Sequence, residues 1–317
     1  MQTLNKQPRI SIYGLYSPQM ASTRLRLLLL RDFLVNDGCY VEMNYLVPDR
    51  WVLRDNWFEG MLAIPIILKN YWLRFISILG SDADFFLIYA ELFPGLPFFL
   101  EKQLIYKRKY VLELDDDFEK KYERGFFKHA SLIYRRKISL LASGASCIVA
   151  GNNALLERYR NLGMKVLFLP TVPGRNFLPD KKLGSCFDKD KILEIVWIGS
   201  PSTFGALSSI LSDIFSSLNG INFKLHIIGA PRNVRKEYLN DGQNIFFYDW
   251  SEKVELEVLS KADIGLMPLL GDSWDHGKSG FKLVQYMGSC TCSIAFDTIP
   301  NRALLRSGKC GFLYDNR

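Results

Sequence analysis

Short apolar runs bounded by glycine, proline or charge recur along the chain, and longer stretches of helical period separate them. In the first half, runs at 9–13, 40–46, 85–89, 110–114, 145–150 and 166–169 predict strands. The stretch 21–36 predicts a helix that turns Leu25, Leu28, Leu29 and Leu34 inward and stops at Asp37-Gly38. A short helix is expected within 91–102. A longer basic one is expected over 126–143, with Arg135, Arg136 and Lys137 together on a solvated face. Asn152 or Asn153 is placed to cap a helix running to Leu162. The segment 170–190 holds three prolines, two glycines and clustered charges without hydrophobic period, and reads as a linker. Beyond it, strands are expected at 193–198, 223–229, 244–248, 262–268, 291–295 and 310–314, with helices from Phe204, over 251–261 and from Phe281. Alternation of strand and helix on both sides of a linker predicts an α/β chain of two doubly wound parallel-sheet domains, 1–169 and 191–317.

The stretch 262–288 carries the clearest chemistry. An apolar strand leads into a polar loop holding Asp272, Asp275, His276, Gly277, Lys278 and Gly280. The helix beginning at Phe281 then sets Leu283, Val284 and Met287 on one face. Ligands of parallel sheets sit at the carboxyl ends of the strands, and a helix start offers unpaired N–H groups and a positive dipole end. Lys278 and Lys282 flank that start, so the pattern suits a phosphate-bearing ligand. The first strand of the same half ends in GSPSTFG, where Gly199, Ser200, Ser202 and Thr203 form a second loop able to donate hydrogen bonds. In the first half, Ser22, Thr23, Arg24 and Arg26 sit at a helix start. Arg24 is the one expected to pair with a diphosphate, while Arg26 reads equally as a solvated basic face.

Composition narrows the classes. The chain has 317 residues, 48% of them apolar, enough for two packed cores and too apolar for a disordered chain. A net charge of +7 favours anionic partners. The six cysteines, at 39, 147, 186, 290, 292 and 310, show no CxxC pair, and several fall in apolar strands. They are expected to be buried thiols of a reducing compartment, and with three histidines in all no metal site is expected. The N-terminus shows no signal-peptide pattern. The stretch 57–79 is the nearest approach to a spanning helix. Glu59, Pro65, Lys69, Asn70 and Arg74 interrupt it, so it reads as an amphipathic surface segment. There Trp51, Trp57 and Trp72, with Arg50, Arg54, Lys69 and Arg74, would suit a lipid headgroup surface, core packing being the alternative.

The runs DIGLMPL and GFKLVQYM resemble the C-terminal half of GT-B glycosyltransferases of the family-4 type, and most of all a branch acting in bacterial surface-polysaccharide assembly. The resemblance implies sugar transfer from a nucleotide-sugar to a saccharide or lipid-linked saccharide. It also implies retention of anomeric configuration, no metal or other cofactor, no nucleic-acid partner, and a cytoplasmic site peripheral on the inner leaflet. It places the donor on Gly199, Ser200, Thr203, Lys278, Gly280, Phe281, Lys282 and Gln285. The family's paired glutamates fall at Gly277 and Gln285, and its Arg and Lys in the first loop are replaced by small hydroxyl residues, so charge neutralisation is left to Lys278, Lys282 or Arg24. The strand 110–114 ends in Asp115, Asp116 and Asp117. An apolar strand ending in D-x-D is also the metal-nucleotide signature of the GT-A fold. In the GT-B reading Asp115 or Asp116 binds the acceptor or assists proton transfer, and a third reading is a helix cap. Family members continue past the last strand with helices that cross back to the first domain, so the second domain is expected to be incomplete at Arg317. A nucleotide-sugar epimerase of similar fold and a non-catalytic nucleotide-sugar-binding subunit are the rival readings.

Overall fold

The computed structural model describes residues 7–54, 57–123, 129, 131–134, 136–174, 192–239, 244–272, 275–305 and 309–315. The chain divides into two units. The first comprises 1–51, 61–171 and 277–279; the second comprises 52–60, 172–276 and 280–317. Most of the expected linker, from residue 175 to 190, lies outside the described residues.

The first unit is built on a six-stranded parallel sheet in the order β2-β1-β3-β4-β5-β6. Its strands are β1 (Arg9–Tyr16), β2 (Tyr40–Val47), β3 (Phe85–Tyr89), β4 (Tyr110–Leu114), β5 (Cys147–Ala150) and β6 (Val166–Phe168). In β1, Ile12 pairs with Met43 on one side and Leu87 on the other. A strand flanked on both edges and covered on both faces must be apolar almost throughout, and Ile12, Tyr13 and Leu15 are fully buried. The order reverses between β1 and β3, so the carboxyl ends of those strands form the switch point where such sheets receive ligands.

The helix expected over 21–36 begins as a π-helical segment, Thr23–Leu28, and continues as α1 (Leu29–Asn36), with Gly38 at φ +86° closing it. Residues 57–80 form one helix, α2 (Trp57–Gly80), with Pro65 inside it. Arg74 does not face a headgroup surface: it is fully buried and donates to Gly14 O, Asn44 O, Asn44 Oδ1 and Leu92 O. Burial draws its guanidinium down to about 9. The side chain of Trp57 lies outside the described residues.

α3 (Phe98–Leu104) follows β3. The basic helix expected over 126–143 is not continuous. Ser131–Tyr134 is one short helix, Arg136 leaves helical geometry at φ −118°, and α4 (Lys137–Gly144) begins anew. Lys137 is not solvated but fully buried, with Nζ on Glu91 Oε2 at 2.6 Å, Glu101 Oε1 at 2.7 Å and Phe93 O at 2.7 Å. Periodicity cannot reveal this, because the carboxylates that hold the ammonium arrive from another part of the chain. Arg135 lies outside the described residues. Asn152 caps α5 (Asn153–Asn161), its Oδ1 accepting from Leu155 N at 2.9 Å.

The second unit has a parallel sheet in the order β12-β11-β10-β7-β8-β9. Its strands are β7 (Leu193–Ile198), β8 (Phe223–Ile228), β9 (Ile245–Tyr248), β10 (Ile264–Met267), β11 (Cys292–Phe296) and β12 (Gly311–Tyr314). Trp197, Leu207, Leu225 and Ile227 centre its core, beneath α6 (Phe204–Ser208) and α7 (Leu211–Ser217). α8 (Glu252–Leu259), capped by Ser251, joins β9 to β10. α9 (Phe281–Gly288) joins β10 to β11, and α10 (Ile299–Leu305), which the sequence pattern did not announce, joins β11 to β12. Ile195, Ile214, Leu218, Ile294 and Tyr314 line a cavity of about 570 Å³ on the α7 face. The cysteines depart from expectation: Cys147 is buried and Cys39 half-buried, but Cys290, Cys292 and Cys310 are exposed, and Cys186 lies outside the described residues. Cys290 and Cys310 flank strands, and Cys292 is the first residue of β11, an end position whose exposure apolar neighbours alone do not disclose.

Candidate functional site

In the second unit the sheet order reverses between β7 and β10, and the loop after each of these strands carries the residues expected to hold a phosphate ligand. After β7 comes Gly199. A Cβ there would stand 2.3 Å from the Trp197 ring and 2.7 Å from Thr203 Oγ1, so only glycine fits. The loop turns tightly. Ser200 N donates to Thr203 Oγ1 at 3.1 Å, Thr203 Oγ1 donates to Ser200 O at 3.0 Å, and the Ser200 and Ser202 hydroxyls lie 2.9 Å apart. The Thr203 hydroxyl therefore shapes the loop. Next door, Gly229 sits at φ +83° where a Cβ would strike Gly199 O, so two strand ends approach backbone to backbone.

After β10, Asp275 is buried and accepts from Leu270 N at 2.8 Å, folding the loop back on itself. Gly280 stands immediately before α9 in left-handed geometry, φ +73°, with Leu304 and Asn301 leaving no room for a side chain. Phe281 and Lys282 open α9, and Lys282 Nζ rests 5.6 Å from the centroid of the Trp197 ring, which ties the α9 start to the end of β7. Gln285 is buried. Its Nε2 donates to Glu255 Oε1 at 2.5 Å, and Glu255 Oε2 accepts from Trp250 Nε1 at 2.6 Å. Gln285 thus holds a fully buried carboxylate of α8. That partner was invisible in the sequence, where Glu255 looks like an ordinary polar position of an amphipathic helix.

In the first unit the acids after β4 form a graded set. Asp115 is fully buried, and the Tyr89 hydroxyl lies 2.7 Å from each of its carboxylate oxygens. Its Oδ1 also accepts from Asp116 N at 2.9 Å, and burial raises its pKa above the ordinary 3.8. Asp116 is half-buried, with Oδ1 accepting from Ser279 N at 2.7 Å. Burial and then the neighbouring Asp115 charge push it up to about 7, against the lowering pull of the Ser279 bonds and of Lys278. A carboxyl poised near neutrality at a strand's carboxyl end is suited to take or give a proton. Asp117 is paired with Arg158 at 2.7 Å, and its N–H donates to Gly277 O at 3.0 Å. Asp115 and Asp117 are thus engaged by Tyr89 and Arg158. Among the described residues no three His, Cys, Asp or Glu side chains converge on one point.

Arg24 is half-buried, with Nη1 donating to Gln19 O at 3.1 Å in the loop after β1. Arg26 is not a solvated face. It is buried, with Nε on Glu113 Oε1 at 2.5 Å, Nη1 on Thr171 Oγ1 and Nη2 on Leu169 O, and it locks the end of β6 to β4. Sequence reasoning also missed Glu91. It follows β3 as Asp115 follows β4, and an acid ending an apolar strand was the available signal. Glu91 is fully buried among Lys121, Lys137 and Tyr122; against the raising effect of burial, the two ammonium groups and the hydrogen bond donated by the Tyr122 hydroxyl hold it down to about 2.

The sequence matches no protein-family model and no curated protein. Solved structures do match. A glycosyltransferase from Rickettsia africae ESF-5 superposes with a TM-score of 0.60 at 12% identity, covering 98% of this chain and 85% of that one. Anabaena Alr3699/HepE, solved with UDP and glucose, gives 0.59 at 13% identity, covering 98% and 86%. The lipopolysaccharide outer core galactosyltransferase WaaB, in its apo form, gives 0.55 at 14% identity, covering 97% and 86%. Two six-stranded parallel sheets, each with its own switch point, superposing along nearly the whole chain on these enzymes, give this protein the GT-B fold.

Proposed function

We propose that the protein is a glycosyltransferase that moves a sugar from a nucleotide-sugar to a saccharide or lipid-linked saccharide acceptor, in the cytoplasm, during assembly of a bacterial surface polysaccharide. The observation that carries the reading is the pair of glycine-built loops at the switch point of the second sheet, one ending at the cation-flanked start of α9. A diphosphate suits this arrangement: the Gly199 and Ser200 N–H groups are spent on Ile228 O and Thr203 Oγ1, so the Ser200 hydroxyl and the first N–H groups of α9, at Gly280 and Phe281, offer the donors, and Lys278 and Lys282 offer charge. These contacts act on the leaving diphosphate, where negative charge develops as the glycosidic bond breaks. Fold neighbours solved with UDP support a uridine nucleotide as the first donor to try.

Asp116 is the group for proton transfer from the acceptor hydroxyl, with Asp115 and Tyr89 fixing its position. Retention of configuration and independence of divalent metal are the outcomes expected from the family-4 resemblance. One observation favours a second reading. The family's glutamates are Gly277 and Gln285 here, and the Gln285 amide nitrogen is engaged with Glu255, as suits a subunit that binds the nucleotide-sugar without turning it over. Incubation with UDP-sugars and acceptors, with and without excess chelator, separates these readings. Acceptor-dependent release of UDP that survives chelation supports metal-independent transfer. Binding without release supports the non-catalytic subunit, and sugar interconversion without acceptor supports an epimerase.

A further inference from the structure

The helix α2 is built inside out. Over residues 61–80 the side turned to its own domain carries its polar groups. Asn70 Nδ2 donates to Leu46 O, the Tyr71 hydroxyl donates to Pro94 O, and Arg74 makes four hydrogen bonds to backbone and amide oxygens. The side turned away is apolar: Leu62, Leu68, Trp72, Leu73, Ile76 and Leu79 are all exposed, Leu68 and Trp72 by 63% each. Lys69 and Arg74 are the charged residues of this stretch, and Lys69 alone is exposed. A surface helix of a water-soluble domain has the opposite polarity, so this face is shaped for a non-aqueous neighbour.

The neighbour's chemistry is written at the C-terminal end of the helix. Arg108 donates to Ser81 O at 3.0 Å and to Ile78 O at 3.4 Å, which fixes the triplet Lys107-Arg108-Lys109 beside that end. Each cation lies over an aromatic ring: Lys107 over Tyr106, Arg108 over Phe86 and Lys109 over Phe85. With Ala83 and Asp84 the triplet lines a concavity of about 540 Å³, within the size range of small-ligand sites. An apolar helix face bordered by cations on aromatic platforms is the pattern of a helix lying in the headgroup region of an anionic bilayer. α2 has the length and composition of a spanning helix, but Asn70, Tyr71 and Arg74 tie one side of it to the domain, so it can present only its other side. A second copy of the chain is the poorer occupant, because pairing two such faces would bury Lys69 of both copies in one apolar contact, whereas at a bilayer surface its stem can lie along the apolar face with the ammonium among headgroups.

We infer that the outer face of α2, together with Lys107, Arg108 and Lys109, docks the protein flat on an anionic phospholipid surface. The inference does not rest on the sugar chemistry. The test is sedimentation of the full chain with vesicles of phosphatidylglycerol and phosphatidylcholine, against phosphatidylcholine alone, with analytical ultracentrifugation in parallel. The protein should pellet with the anionic vesicles and detach as salt is raised. Lys107→Gln with Lys109→Gln should lower the partition coefficient about thirtyfold, at roughly fivefold per basic residue near such a surface. Leu68→Asp with Trp72→Asp should lower it at least as far, while circular dichroism and the urea midpoint stay unchanged because both side chains are exposed. The inference is overturned by failure to pellet, by equal binding to phosphatidylcholine alone, or by undiminished binding of the Asp variant. A stable dimer that the Asp changes dissolve would equally overturn it, and would assign the face to a second copy.

Discussion

Asp116→Asn isolates the proton-transfer role. The amide keeps an oxygen to accept from Ser279 N, so the local hydrogen bond survives while the proton-accepting group is lost. General-base catalysis contributes about 10²- to 10⁴-fold, and kcat/KM should fall by that order. The pH profile is the sharper reading. With Asp116 raised to about 7, the ionised fraction climbs from about one tenth at one pH unit below that value to about nine tenths at one unit above. The wild-type rate should therefore rise nearly tenfold across that window, and the limb should be absent from the residual activity of Asp116→Asn. Asp115→Asn removes the neighbouring charge that helps raise Asp116, and should move the limb to lower pH. Stability should run the other way. A carboxyl whose folded value is raised contributes stability that is fully present below its unfolded value, near 3.8 for Asp116, and is lost as pH rises through the folded value, near 7. Glu101, Glu113 and Glu119 are also pushed by burial up to about 7 and add in the same direction. Steady-state kinetics and thermal melts over the same buffers measure both. A rate limb at the same pH in wild type and Asp116→Asn would refute the assignment.

Lys282→Ala and Lys278→Ala should each weaken nucleoside-diphosphate binding by about 1–3 kcal/mol, the size of a lost charge-assisted hydrogen bond. Calorimetry showing unchanged affinity in both would remove the diphosphate from the α9 start. Lys137→Met should destabilise the protein by about 3–5 kcal/mol in urea unfolding, because Glu91 and Glu101 lose the ammonium between them. Adding Glu101→Leu should restore part of that loss, and a neutral single variant would contradict the buried network.

Strand positions were legible because a parallel sheet covered on both faces must be written as short apolar runs. Runs at 85–89, 110–114 and 193–198 match β3, β4 and β7 to the residue. The start of α9 was legible for a related reason: glycine at φ +73° before an apolar helical period is a local pattern. Buried polar partners were not legible. Lys137 and Arg135 look alike in sequence, and Arg26 and Arg74 look like surface cations. Glu113, Asn44 and the carbonyls of Gly14, Leu92 and Leu169 reach them only through the fold. The inverted polarity of α2 was hidden for the same reason. Its composition is apolar with polar interruptions whether those interruptions face water or, as here, the domain.

Turnover is the direct test of the central claim. The purified chain should be incubated with UDP-sugars and a panel of saccharide and lipid-linked acceptors, and the released nucleoside diphosphate measured. The account predicts release that requires both donor and acceptor, yields a glycosylated product, and falls in Lys282→Ala and Asp116→Asn. Tight donor binding with no acceptor-dependent release across the panel would contradict it.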